Sequence, residues 1–233
     1  MCGRYSLAWD TQEIERHFAI TVAMPKLEPR YNIAPSQPAL IVHDDRDREG
    51  RRIGRYVQWG LVPFWAKEPA IGNRMINARG ETIASKPAYK AATKYRRCLV
   101  PASGFYEWAK VNRAKQPFYF RYEQARPLAM AGLYEHWQDE NGNELETCTI
   151  ITTQANALLA DIHDRMPVLI QPEDYNHWLS TKLEQPDALA DLLKPADPNL
   201  MIRYPVSRRV NSPSNDDAAL IETIATQQNL FGG

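Results

Sequence analysis

The second residue is a cysteine, in the opening string MCGRYSLAWD, and its position allows chemistry that an internal cysteine lacks. Methionine aminopeptidases remove an initiating Met when the next residue is small, so the mature chain is expected to begin at Cys2. A terminal Cys carries an α-amine and a thiol on adjacent carbons, with ordinary pKa values of about 7.7–8.0 and about 8.5, and both are nucleophiles near neutrality. The amine condenses with an aldehyde to an imine, and the thiol closes on it as a five-membered thiazolidine. That closure is intramolecular and gains the high effective concentration of a tethered group. Position alone favours a tail residue without chemistry. Glutamine amidotransferases of the N-terminal nucleophile type also begin Met-Cys-Gly, with the Cys attacking a side-chain amide, so an N-terminal-Cys peptidase or amidohydrolase is the alternative reading.

Three other residue types could serve such a reaction. Asn77, in MINARGETI, has an amide that both donates and accepts, and could hold the terminal amine or thiol in attacking geometry. Glu107 lies between aromatic residues in GFYEW; apolar surroundings disfavour a charged carboxylate and raise its pKa towards the range useful for proton transfer. His163, in DIHDRMP, titrates near physiological pH. Cys98 and Cys148 sit in the apolar runs RRCLVP and ETCTII and read as small buried strand residues. Three cysteines without metal-type spacing argue against a disulfide framework or a structural zinc site. His17, His43, His136 and His177 lack partners at ligand spacing, so neither metal nor cofactor is expected.

MCGRY is accompanied, in order, by YNIAPSQ (31–37), WGLVPFW (59–65), MINARGETI (75–83), RRCLVPASGFYEW (96–108), DIHDRMP (161–167) and PVSRRVN (205–211). Together these strings resemble the SOS response-associated peptidase (SRAP) family of abasic-site processing proteins, from about residue 2 to 211. The resemblance implies a protein that senses abasic sites in single-stranded DNA and forms a covalent thiazolidine crosslink through Cys2. It places the active-site Asn, Glu and His at Asn77, Glu107 and His163. On that assignment Glu107 relays protons during imine formation, ring closure and reopening. His163 helps to open the hemiacetal of the abasic sugar and assists β-elimination, which would give lyase activity. The family name also records a proposed peptidase role, read as self-processing at Cys2. The Asn-Gly pair that an amidotransferase needs in an NGEIYN-like string is missing; Asn141-Gly142, in DENGNE, reads as a hairpin turn.

A single strand is gripped by cations along its backbone and by aromatic faces under its bases. Arg4, Arg79, Arg165, Arg208 and Arg209 are the candidate phosphate contacts. Phe64, Trp65 and Trp108 are candidates for stacking or wedging, although Trp108, adjacent to Glu107 on an alternating strand, is placed to point to the opposite face and pack inside. Because 28 Lys and Arg balance 28 Asp and Glu, any nucleic-acid surface must be a local patch. A monomer is expected.

The elements that must position these groups read as strand-rich. Strand-like runs occur at 38–43, 55–60, 96–101, 104–109, 117–122, 128–134 and 147–153. Asp10 to Glu13 looks like a capping box opening a short helix through about Phe18, and further helices are expected at 85–93, 172–180 and 186–193. Strands in runs with helices at the margins indicate an α+β fold: one domain over 1–233, with a mixed or antiparallel, curled or barrel-like β-core, a few peripheral helices and a tail from 212. With neither a signal-peptide core nor an apolar run of membrane-spanning length, the expectation is a cytoplasmic protein, nucleoid-associated when engaged with DNA.

Overall fold

The structure is a computed structural model that describes residues 2–45, 47–48, 50–111, 114–180 and 186–224. The long apolar runs form the strands their alternation predicts: β3 (Pro38–Asp44), β4 (Arg52–Trp59), β6 (Arg97–Ala102), β7 (Gly104–Val111), β8 (Ala114–Tyr122), β9 (Leu128–Gln138) and β10 (Glu144–Gln154). Five short strands complete the set: β1 (Tyr5–Leu7), β2 (Arg30–Ile33), β5 (Asn77–Arg79), β11 (Arg165–Pro167) and β12 (Met201–Pro205). None of these short strands is evident from residue pattern, because three to five residues are too few to show a period.

Strands β10, β4, β3, β6 and β9 form a ring that closes through the β9–β10 hairpin, with β5 and β11 attached along β10. Closure removes the free edges that a sheet otherwise exposes. The ring is mixed, since β10 runs parallel to β4 and the other four pairings are antiparallel. Its hairpin turns at Asn141-Gly142, where Gly142 takes φ +85° and the Asp139 carboxylate accepts from the Asn141 and Asn143 amides. The second sheet, in the order β12-β8-β7-β1-β2, is antiparallel throughout.

One apolar core joins the two sheets, taking Tyr5, Phe105 and Phe120 from the open sheet and Leu40, Val100, Leu133 and Ile150 from the ring. Because side chains alternate along a strand, Glu107 shares the core-facing side of β7 with Phe105, whereas Tyr106 and Trp108 face outward. A smaller cluster covers that outer face, in which Tyr106 and Tyr119 meet Val206, Val210 and Leu220 of the C-terminal segment.

Helices lie at the margins. In α1 (Thr11–His17) the Asp10 carboxylate caps the Glu13 amide at 2.8 Å, and Phe18 ends the helix. Helix α2 (Pro87–Tyr95) has its Pro in the first turn, where no amide donor is needed. The expected helix at 172–180 opens as a 3₁₀ turn before α3 (Tyr175–Leu179). Residues Pro186–Leu193 are wound as 3₁₀ rather than α, a correction to the expectation; Pro195, two residues beyond, prevents the short segment from being extended. Among the described residues no helix is long and apolar enough to cross a membrane.

Candidate active site

Cys2 lies three residues ahead of β1, which is held between β2 and β7. The register pairs Tyr5 with Phe105 and Ser6 with Gly104, and the Tyr106 amide donates to Arg4 O at 3.0 Å, which carries the first residues of the chain alongside Glu107. Gly104 is required there: a Cβ would stand 2.4 Å from the Tyr119 ring and 2.5 Å from Phe120 O. The Tyr119 hydroxyl in turn meets Ser6 Oγ at 2.7 Å, tying β1 down.

Asn77 arrives from the other sheet. Strand β5 lies parallel to β10 with Asn77 opposite Ile150, and its entry is fixed by bonds to Ile76 O from the Ile150 amide (3.1 Å) and the Trp59 indole (2.8 Å). From this position Asn77 Nδ2 donates to Cys2 O at 2.8 Å. Asn77 Oδ1 is buried and, among the described residues, has no hydrogen-bond partner, an acceptor beside Cys2. Cys2, ahead of β1, therefore meets Asn77 of β5 and Glu107 of β7, three parts of the chain remote in sequence.

The electrostatics follow from burial. Cys2 is fully buried, and both desolvation and the nearby Glu107 carboxylate push its thiol well above the ordinary range, with partial relief from the Arg4 amide. Glu107 is only 3% exposed; burial pushes its carboxyl up to about 7, with Asp164 adding to the effect and the Trp108 amide opposing it. Burial lowers the pKa of His163, so its ring is neutral near pH 7. Two contacts compete at His163 Nδ1: the Arg165 amide at 3.0 Å and Asp164 Oδ1 at 2.9 Å. One nitrogen cannot accept from the amide and donate to the carboxylate at once. A neutral ring that accepts from the amide carries its proton on Nε2, whereas Asp164 can engage Nδ1 only when that nitrogen is protonated. Glu107 and His163 line the same open cleft, about 650 Å3 in volume, with Trp108, Lys110, Lys115 and Asn211 around them.

Buried Cys2 and Asn77 stand beside a carboxylic acid that titrates near neutrality, and a neutral imidazole lines the same cleft as that acid, a set of groups suited to proton transfer. Residues 1–213 match the family described as SOS response associated peptidase (SRAP). The chain belongs to this family. It is 44% identical over 226 residues to the abasic site processing protein YoqW of Bacillus subtilis, covering 96% of this chain and all of the relative. It is 32% identical to the abasic site processing protein YedK of Escherichia coli, over 96% of this chain and all of that one. To the abasic site processing protein HMCES of Xenopus tropicalis it is 34% identical, over 87% of this chain and 68% of that one. The fold is shared with a solved protein structure from Bacteroides thetaiotaomicron, with a TM-score of 0.85 at 27% identity, covering 96% of this chain and all of that one.

In this SRAP chain the remaining candidates fall into two groups. Phe64 and Trp65 are 58% and 51% exposed on the loop between β4 and β5. That loop is closed where Gly60 (φ +128°) packs on Gly72, by the Leu61 amide on Met75 O, and by the Trp137 indole on Ala66 O at 2.6 Å. Arg79 and Arg208 are exposed, as is Arg209, which pairs with Asp217. Arg79 and Arg165 line a second hollow of about 460 Å3.

Arg4 and Arg165 are instead bound into the protein. Arg4 donates to Asn32 Oδ1 (2.7 Å) and Val210 O (2.8 Å). Arg165 makes a two-point bond to Glu81 (2.6 and 2.8 Å) and a further bond to Thr152 O. Trp108 faces away from Glu107, as alternation requires, but is only partly buried; its indole bonds Asn211 Oδ1 at 2.8 Å and its edge still lines the cleft.

Four contributors were not legible from residue type. Buried Asn32 donates to Ser212 O and Asn215 O and fastens the C-terminal segment over the outer face. Asp164 acts on both Glu107 and His163. Lys110 and Lys115 stand at the cleft rim, although in sequence they look like ordinary solvated hairpin residues.

Proposed function

We propose that this chain processes abasic sites in single-stranded DNA by capturing their aldehyde on Cys2 after Met1 has been removed. The α-amine attacks the aldehyde carbon, and Glu107, protonated near neutral pH, supplies the proton that lets the carbinolamine oxygen leave as water. The thiol then adds across the imine: a C–S bond forms, the thiol proton passes through the Glu107 carboxylate, and the ring nitrogen takes up a proton. Asn77 orients the terminus through its amide, and its open Oδ1 is suited to accept from the amine. His163 exchanges protons with the sugar oxygen during ring opening. Removal of the adjacent C–H proton from the imine would expel the 3′ phosphate as a lyase product, and reversal of the capture steps would release the strand.

The observation that carries this reading is the convergence of Cys2, Asn77 and Glu107 with a carboxyl pKa near 7. The same electrostatics weigh against the peptidase alternative. A thiolate nucleophile needs a lowered thiol pKa, and burial with a carboxylate neighbour acts in the opposite direction. An amine-first reaction has no such need.

The test is a denaturing gel of Met1-processed protein mixed with a single-stranded oligonucleotide carrying one abasic site. A heat-stable shifted band for the wild type, and none for Cys2→Ala or for protein with Met1 retained, is expected. Absence of a covalent band from protein whose free N-terminal Cys is verified by mass spectrometry would sink the reading. Adducts that survive with Met1 retained would point to a thiol-only nucleophile and to the peptidase alternative.

A further inference from the structure

The cleft that holds Glu107 and His163 continues outward along the β7–β8 hairpin. Trp108 and Lys110 share the outer face of β7, and the antiparallel register sets Lys115 of β8 directly opposite Lys110. Side chains in such a pair stand next to each other, and like charges there repel. Both lysines are exposed, and among the described residues neither is paired with a carboxylate. The one other acid lining the cleft, Asp161, is already held at two points by Arg203. The rim thus carries two uncompensated positive charges beside an aromatic ring whose indole is pinned by Asn211. An anion between the lysines would turn their repulsion into attraction. Lys110 lies about 10 Å along β7 from Glu107, at about 3.3 Å per residue, too far to act on the reacting sugar.

We propose that Lys110 and Lys115 clamp a backbone phosphate of the single strand flanking the abasic sugar. The proposal rests on the proposed function, and its test separates the two. Affinity for a fluorescein-labelled oligothymidylate without an abasic site is measured by fluorescence anisotropy across a salt series. Wild type is compared with the Lys110→Gln/Lys115→Gln and Lys110→Arg/Lys115→Arg pairs. Adduct formation by each is scored on the denaturing gel at saturating abasic oligonucleotide.

Losing one phosphate contact lowers the slope of log K against log salt by about 0.7, equivalent to roughly fivefold weaker binding near 0.1 M salt. The Gln pair is expected to show that loss, the Arg pair to keep the wild-type slope, and all three proteins to form adducts when saturated. A wild type that binds with the same slope as the Gln pair would overturn the clamp while leaving aldehyde capture intact. A wild type that neither binds nor forms an adduct would overturn both.

Discussion

Replacing Glu107 with Gln removes a titration that the fold opposes. In the folded protein the carboxyl has been carried from the ordinary 4.5 to about 7, principally by burial. Each tenfold change in proton affinity is worth ~1.4 kcal/mol, so the ionised site costs the native state about 3 kcal/mol. The sign follows from proton counts. Between about pH 4.5 and 7 the unfolded chain has released a proton that the folded chain still holds, so this group makes stability fall as pH rises through that window. Below it the group contributes nothing, and above it the full cost is present. Gln has the shape of the neutral acid, and its carbonyl can still accept from the Trp108 amide. Its extra N–H group adds an offset that does not depend on pH. Parallel urea melts of wild type and Glu107→Gln should therefore diverge with pH, the variant gaining about 3 kcal/mol between about pH 4 and pH 8. Contributions from groups that do not interact with Glu107 cancel in the difference. A gap that stays flat across this range would show that Glu107 titrates as an ordinary carboxylate, and the account of its role as a proton donor near neutrality would fail with it.

Other perturbations test other parts of the site. Asn32→Ala removes the donor to Ser212 O and Asn215 O and the acceptor for Arg4, and should cost about 3 kcal/mol in a urea melt, with faster hydrogen exchange in residues 207–216. Phe64→Ala and Trp65→Ala should each leave stability within ~0.5 kcal/mol, because the rings are largely exposed, yet weaken single-strand binding by ~1–3 kcal/mol in anisotropy titrations. Glu81→Gln takes a carboxylate from the wall formed by Arg79 and Arg165; tighter single-strand binding is expected, and unchanged affinity would mean that this wall does not meet the strand. Nitrogen-15 NMR of His163 near pH 7 should show a neutral ring protonated on Nε2, with a titration midpoint below the ordinary 6.5. Because that pKa is lowered in the fold, the stability associated with His163 is lost as pH falls.

The residues themselves made the family and the candidate site more legible than the surroundings of that site. Seven strands were legible because runs such as PALIVH and TCTIITT are long enough to display their pattern, and the Asp10 cap and the Asn141-Gly142 turn are local events governed by a few neighbouring atoms. Family membership was legible in the ordered strings from MCGRY to PVSRRVN, with Cys2, Asn77, Glu107 and His163 inside them. Strands β1 and β5, which deliver Cys2 and Asn77, were not legible. Three residues have no period of their own, and these are strands only because β7 and β10, distant in sequence, offer them hydrogen-bond partners. The arginines were undecided for the same reason. A guanidinium is identical in the chain whether it later meets solvent, as at Arg79, or partners far away in sequence, as at Arg4 with Asn32 and Val210 and Arg165 with Glu81. The carboxyl of Glu107 owes its raised pKa to desolvation between two sheets, a property of the assembled core that no local sequence contains.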